Sequence, residues 1–330
     1  MKTVVKIEIA LLVIVLLVAL GMVLASEGVL NLFREPEVAL RESLPVPTEA
    51  PMQVPEATEA PVEPMAEEKD PRVISAAKYF AFDVREDAYL VNQGEGNERV
   101  YPASITKLLT CYTILQHMQP DTRVTVGDAL NLVQWDSSVA GLKEGDVLSI
   151  EQLIAAMLLP SGNDAAQVAA VATGRAIAGD NSLDYETAVV VFVEEMNRQA
   201  KNLGMENSHF ANPDGFHHEN HYTTMNDLVD LCKQVLKEQT ILKYACTPKV
   251  TVTLPDRELV WENTNLFLHE EIEMYRPNAI GMKTGYTDAA GNCLVSAFFM
   301  EDRILLIGVF GCPPFTEDRY LDTLAIYNNL

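Results

Sequence analysis

Apolar and polar positions alternate at the two ends of the chain's ordered-looking part and recur with helical spacing between them. Lys78–Val84 (KYFAFDV) and Ala88–Gln93 (AYLVNQ) are short, aromatic and β-branched, and Arg85-Glu86-Asp87 separates them, which predicts a hairpin. From Ser104 the spacing of Leu108, Leu109, Tyr112, Leu115 and Met118 predicts a helix with one buried face. Ser149–Leu159 predicts a second helix, closed by the breaker cluster Pro160-Ser161-Gly162-Asn163. Asp164–Thr173 reads as an alanine-rich helix that packs closely. Tyr185–Leu203 is helical and stops on Gly204, and Met225–Lys237 is amphipathic. Cys293–Met300 and Arg303–Phe310 run apolar around Glu301-Asp302, a second hairpin. Strands at both ends with helices between them fit a mixed sheet closed by the two ends, with an inserted helical subdomain. No internal repeat stands out.

The N-terminal stretch has another pattern. Lys2 and Lys6 precede an uncharged run from Ile9 to Ala25, the signature of export through a membrane. Val23-Leu24-Ala25 before Ser26 offers a cleavage site, whereas the 17-residue apolar run reaches the low end of what spans a bilayer. From Arg34 to Arg72 the chain holds eight of its 17 prolines among Glu, Thr and Ala. Such a stretch cannot bury enough surface to fold, and in polyproline II it extends on the order of 100 Å. The expected organisation is an anchor or signal at 1–25, a disordered stalk at 26–72 and a folded domain at 73–330. A retained anchor is favoured over a cleaved signal, and in either case the domain works outside the cytoplasm.

Charge narrows the partners. The chain carries 24 Lys+Arg against 47 Asp+Glu, a net charge of −23. That excess excludes nucleic acid, whose binding is driven by basic residues neutralising phosphates, and docking on anionic lipid through a basic patch. Five cysteines (Cys111, Cys232, Cys246, Cys293 and Cys312) are irregularly spaced and form no C-x-x-C. They read as small buried hydrophobes with at most one or two disulfides.

Three short motifs occur in order: Ser104-Ile105-Thr106-Lys107, Ser161-Gly162-Asn163 and Lys283-Thr284-Gly285. If Ser104 begins a helix, Lys107 lies one turn on along the same face, its amine within reach of the hydroxyl. A serine hydroxyl is a poor nucleophile until its proton is taken, and a lysine near its usual pKa of about 10.4 cannot take it at neutral pH. Burial and a neighbouring cation both lower that value, and Lys283 is the candidate cation. Lys283 and Thr284 would face a substrate carboxylate, with Gly285 letting backbone approach the substrate. Ser161 and Asn163 supply a hydroxyl and an amide for proton relay and positioning. Each motif has a plain structural alternative: a helix cap with a surface lysine, a turn, a strand edge. Their joint occurrence in this order favours chemistry.

The three motifs match the set found in penicillin-binding proteins and class A β-lactamases. The surrounding text resembles the low-molecular-mass D-alanyl-D-alanine carboxypeptidases of serine peptidase family S11. The resemblance rests on PASITKLLT (102–110), LLPSGNDAA (158–166), FVEEMNRQAKNLGM (192–205), FANPDGF (210–216) with His221-Tyr222-Thr223-Thr224 and Asp227, and GMKTGYT (281–287). It covers about Ala77 to Leu330. It implies an α/β fold of the serine β-lactamase/DD-peptidase kind, an antiparallel sheet flanked by helices with an all-helical insertion. It implies Ser104 as the acylated nucleophile, Lys107 as its base, and Ser161 and Asn163 as relay and positioning groups. Lys283, Thr284, Gly285 and Tyr286 would bind substrate, with the N–H groups of Ser104 and Tyr286 as the oxyanion hole and a substrate role for Arg319. The implied substrates are peptidoglycan stem peptides, with β-lactams acylating the same serine, and no metal or other cofactor is required.

Two departures from the family pattern stand out. The chain ends at Asn328-Asn329-Leu330, where relatives commonly continue into a β-rich domain and an amphipathic helix, which favours the N-terminal anchor. Phe216 stands where relatives usually show leucine. Three other readings compete. Glu194-x-x-Asn197 would activate water in a β-lactamase, but its helical surroundings place Glu194 on an exposed face. His217-His218-Glu219-Asn220-His221 suggests zinc, yet lacks the spacing of H-E-x-x-H. The third is a wall-binding or β-lactam-sensing module with little turnover.

Overall fold

The computed structural model describes residues 72–94 and 96–330. The expected anchor or signal and, but for Arg72, the expected stalk lie outside them. Strands β1 (Lys78–Asp83) and β2 (Ala88–Asn92) form the first hairpin, and β3 (Arg99–Val100) follows. A 3-10 turn, Ala103–Thr106, leads into helix α1 (Lys107–Leu115). Next come β4 (Arg123–Thr125), β5 (Val147–Ser149), α2 (Ile150–Leu158), α3 (Asn163–Ala178) and α4 (Tyr185–Asn202). The chain continues through β6 (Thr223–Thr224), α5 (Met225–Val235), α6 (Gln239–Ala245), β7 (Lys249–Thr253) and β8 (Glu258–Glu262). It closes with β9 (Ala279–Thr287), β10 (Gly291–Met300), β11 (Arg303–Cys312) and α7 (Asp318–Asn328).

Five strands form one sheet in the order β2-β1-β11-β10-β9, with every pairing antiparallel rather than mixed. The first and last strands of the chain meet because Lys78–Asp83 runs against Phe310–Leu305. The apolar runs of β10 and β11 are continuous because both faces are covered. Successive side chains point to opposite faces. Leu294, Phe298, Leu305, Ile307 and Val309 pack with Tyr320 and Leu324 of α7. Val295, Ala297, Leu306 and Phe310 join the larger core under α1, α2 and α3. Each such side chain taken from water contributes roughly 1.5–3 kcal/mol.

Local signals set the helix boundaries. Ser149 and Gln152 close α2 with a capping box, and Asp184 and Thr224 accept from the first-turn N–H groups of α4 and α5. The expected helix from Ser104 to Met118 is shorter: Ser104 lies in the 3-10 turn and α1 ends at Leu115. The expected Asp164–Thr173 helix runs on to Ala178. Gly174 does not break it; a Cβ there would meet the Ala188 carbonyl of α4 at 1.9 Å, so glycine permits the close packing of the two helices. All five cysteines are free, four of them buried. Among the described residues, no helix is long and apolar enough to cross a membrane.

Candidate active site

The Ser104 turn sits at the end of α1 nearest the sheet edge strand β9. Ile105 N–H donates to Pro102 O at 3.1 Å, and the three-residue repeat of this turn stacks Ser104 and Lys107 on one side. Ala103, just before the serine, has φ 48°, a left-handed conformation that costs a non-glycine residue on the order of 1–3 kcal/mol. Two glycines hold that turn by leaving room. A Cβ on Gly215 (φ +84°) would meet Ala103 O at 1.9 Å, and one on Gly285 would meet Pro102 O and Ala103 Cβ at 3.0 Å. Gly285 was expected to bring backbone close to substrate. The structure shows its close approach to the Ser104 turn, against which β9 is pressed.

Lys107 is fully buried. Its Nζ lies 2.8 Å from Ser104 Oγ, 2.7 Å from Asn163 Oδ1 and 2.7 Å from the carbonyl oxygen of Asp214. As an ammonium it donates to all three. As a neutral amine it keeps two donors for the amide and carbonyl oxygens, which have no proton to give, and its lone pair faces the hydroxyl that has one. Burial pushes the Lys107 ammonium down to about 8, outweighing the opposing pull of Asp214 and Asp164.

The expectation that Lys283 supplies the charge lowering Lys107 needs correction. Lys283 is itself buried, and burial, then Lys107, then Arg319 drive it well below the usual lysine range. Desolvation, not charge from Lys283, is what lowers Lys107. Lys283 Nζ donates to Thr284 O at 3.1 Å, and Thr284 Oγ1 pairs with Thr264 Oγ1 at 2.6 Å. Arg319 Nη1 donates to Asn292 Oδ1 at 3.1 Å, while its buried Nε has no partner.

The middle motif opens α3. Ser161 is buried with φ 64°, and Gly162 and Asn163 follow as helix cap and first residue. Asn163 is fixed from both ends of its amide, Oδ1 on Lys107 and Nδ2 on Ser137 Oγ at 3.0 Å. Ser161 is the motif residue that the hydrogen-bond network around Lys107 does not include; its carbonyl accepts from Ser138 Oγ at 2.8 Å. A cleft of about 300 Å³ is bordered by Ser104, Ser137, Asn163, Phe216, Tyr286 and Asp288. Tyr286 is 40% exposed on its rim, its hydroxyl donating to Asp288 Oδ1 at 2.8 Å.

The 210–216 loop is bolted to α1. Thr110 Oγ1 donates to Pro213 O at 2.6 Å, next to the Lys107–Asp214 bond. His221 Nδ1 accepts from Ala211 N–H at 3.1 Å, which leaves Nε2–H to donate to Thr106 Oγ1 at 2.7 Å. The crowded histidines therefore diverge: His221 pins the loop, His217 stacks edge-on against Tyr101, and His218 Nδ1 accepts from Asn220 N–H. Glu194 is exposed on α4, as its helical surroundings suggested. The sequence reading did not find Ser137, Asp164 or Asp214. Asp164, buried, gathers the N–H groups of Ala140, Gly141 and Leu142 and so shapes the loop bearing Ser137. The available signals were the position of Asp164 beside Asn163 and that of Asp214 within FANPDGF.

A five-stranded antiparallel sheet with a helical insertion, and a Ser-x-x-Lys turn between the two, defines the serine DD-peptidase fold. The crystal structure of the Streptomyces K15 DD-transpeptidase superposes with a TM-score of 0.70 at 27% identity, covering 78% of this chain and 97% of that one. Penicillin-binding protein D2 from Listeria monocytogenes in its cefotaxime-bound form shares the fold, with a TM-score of 0.63 at 24% identity over 79% of this chain and 99% of that one. The family model for D-alanyl-D-alanine carboxypeptidase, peptidase family S11, matches residues 64–313, and the chain belongs to that family. It is similar to the D-alanyl-D-alanine carboxypeptidase DacF of Bacillus subtilis (strain 168), 28% identical over 240 residues, 71% of this chain and 57% of that protein. It is also similar to DacD of Escherichia coli (strain K12), 30% identical over 255 residues, 73% of this chain and 59% of that protein. The chain thus spans a little over half the length of these two relatives.

Proposed function

We propose that the protein is a serine D-Ala-D-Ala carboxypeptidase that removes the terminal D-alanine of peptidoglycan stem peptides. The observation that carries this reading is the buried Lys107 amine 2.8 Å from Ser104 Oγ, with its two other acceptors unable to give it a proton. In the proposed sequence neutral Lys107 takes the hydroxyl proton as Ser104 Oγ attacks the carbonyl of the penultimate D-alanine. The N–H groups of Ser104 and Tyr286 receive the developing oxyanion, and such a donor is typically worth ~10²–10³ in rate. The peptide bond breaks, the leaving amine takes the proton, and D-alanine departs. Water then cleaves the ester to regenerate the serine. Asn163 holds Lys107 and the substrate backbone, and Ser161 relays the proton to the leaving amine.

Lys283 and Thr284 would hold the terminal carboxylate. An arriving carboxylate favours the ammonium form of Lys283, so binding pairs an anion with a lysine whose burial otherwise disfavours charge. β-Lactams would acylate Ser104 by the same steps. We place the domain outside the cytoplasm, where its substrate is, with attachment through the Ile9–Ala25 segment as a further part of the proposal. Intact-mass spectrometry of the protein with penicillin, and release of D-alanine from an N-acylated pentapeptide, test the reading. A penicilloyl adduct lost in Ser104→Ala, together with free D-alanine, is expected. An adduct without D-alanine from any stem peptide contradicts the carboxypeptidase and leaves a sensing module.

A further inference from the structure

Two buried acids act on Lys107, and they differ in how their charge is spread. Asp164 of α3 accepts from the N–H groups of Ala140, Gly141, Leu142 and Ala165. Asp214, 2% exposed, accepts from Phe216 N–H on Oδ1 at 2.9 Å and from Gln167 Nε2 on Oδ2 at 2.8 Å. Both its oxygens act as acceptors, as those of an ionised carboxylate do. The carbonyl of the same residue takes Lys107 Nζ at 2.7 Å, so carboxylate and amine are tied through one residue. The other titratable groups facing Lys107 bring no negative charge. Burial holds Cys111, one turn along α1, as a thiol, and keeps His221 of the 210–221 segment neutral. Lys283 of β9 is a base.

The charge at position 214 leaves another group unpaired. Gln167, 5% exposed, has its Oε1 buried with no hydrogen-bond partner. A turned amide would set that oxygen against the carboxylate, so the orphan persists because residue 214 is an acid. An asparagine there would resolve it: Oδ1 accepts from Phe216 N–H, and Nδ2 donates to Oε1 of the turned Gln167. A neutral side chain of the same shape would thus satisfy this pocket better than the aspartate does, and the fold does not require the charge.

We propose that Asp214 is a positioning residue for acylation, whose buried charge holds on Lys107 the proton taken from Ser104 and so sets the pH range in which the serine reacts. As the bond from Ser104 Oγ to the carbonyl carbon forms, the hydroxyl proton passes to Lys107 Nζ. The new ammonium lies among Asp214 O, Asn163 Oδ1 and the Asp214 charge until the leaving nitrogen accepts the proton. The proposal rests on the reading of Lys107 as the base.

The test is the pH profile of penicillin adduct formation in the wild type, Asp214→Asn and Asp214→Glu. Removing a nearby opposite charge disfavours the ammonium, so the midpoint in Asp214→Asn should fall by about one pH unit from its wild-type position near 8. Asp214→Glu, which keeps the charge, should return it toward 8. Loosened packing that admitted water would move the midpoint the other way, toward that of a lysine in solution. Thermal unfolding of Asp214→Asn should match or exceed the wild type. An unmoved or raised midpoint in Asp214→Asn overturns the proposal, and with lost thermal stability it marks a merely structural residue. Should that variant not fold, Gln167→Met removes one of the two N–H donors on the carboxylate and should raise the midpoint. An unchanged or lower value there overturns the proposal equally. A wild-type rate with no midpoint near 8 would instead sink the reading of Lys107 itself.

Discussion

At the scale of single residues, the site depends on how closely backbone can approach the serine. Gly215 and Gly204 separate two costs of a side chain. Both have positive φ, but a Cβ on Gly204 comes no nearer than 3.8 Å to Asp230 Oδ2, whereas one on Gly215 collides with the Ala103 carbonyl. Gly204→Ala should lose only about 1–2 kcal/mol of backbone strain and keep its acylation rate. Gly215→Ala should lose more stability and at least ~100-fold in acylation, since a nucleophile displaced by about 1 Å already costs that much. Thermal unfolding beside penicillin labelling of the two variants separates the effects. Much of the residue-scale reading was legible because Ser104-x-x-Lys107 and Lys283-Thr284-Gly285 carry their geometry in their spacing. What was not legible came from distant chain: the carbonyl of Asp214 on Lys107, the hydroxyl of Ser137 on Asn163, and the burial of Lys283.

At the scale of elements, α1 and the 210–216 loop behave as one unit joined through His221. Burial, then the neighbouring histidines, push the His221 imidazole down to about 3. In the unfolded chain it protonates below about 6.5, so the unfolded state binds the extra proton between those two values. The stability from keeping His221 neutral is therefore complete above pH 6.5 and declines as pH falls toward 3, by about 1.4 kcal/mol per pH unit from this group. Urea unfolding at pH 7, 6 and 5 should show that decline, and His221→Gln should flatten it. The helices were legible as elements because each buries one periodic face, and their caps mark where they start. The 3-10 turn at Ala103–Thr106 was not, since one tight turn before a helix has the same short-range pattern as the helix itself. The two-residue pairing of Arg99–Val100 with Thr223–Thr224 left no periodicity to read.

At the scale of the whole domain, the two ends of the described chain hold each other. Asp322 of α7 is fully buried and accepts from Arg72 Nε at 2.8 Å, from the N–H and hydroxyl of Ser75, and from Ala76 N–H at 2.8 Å. At the other end of β1, Arg303 Nη1 reaches the buried Asp83 carboxylate at 2.9 Å across the β1–β11 pairing. Asp322→Ala strands two backbone N–H groups and should cost about 3 kcal/mol in denaturant unfolding. The folded fraction should still acylate, because none of Asp322's partners lines the cleft. That the sheet is built from both chain ends was legible from two local hairpins. That β1 seats beside β11, and that a last-helix carboxylate fixes the segment leading into β1, depends on pairings about 220–250 residues apart. No local pattern encodes them.

The central claim is that desolvation lowers Lys107 far enough for its neutral amine to serve as the base near pH 8, and the pH dependence of Ser104 acylation tests it most directly. The second-order rate of penicillin adduct formation, followed from pH 5 to 10.5, should climb as the amine loses its proton and level off around an apparent pKa of about 8. A rate that keeps rising to pH 10, as for a lysine in water, or one that persists in Lys107→Met, would contradict it.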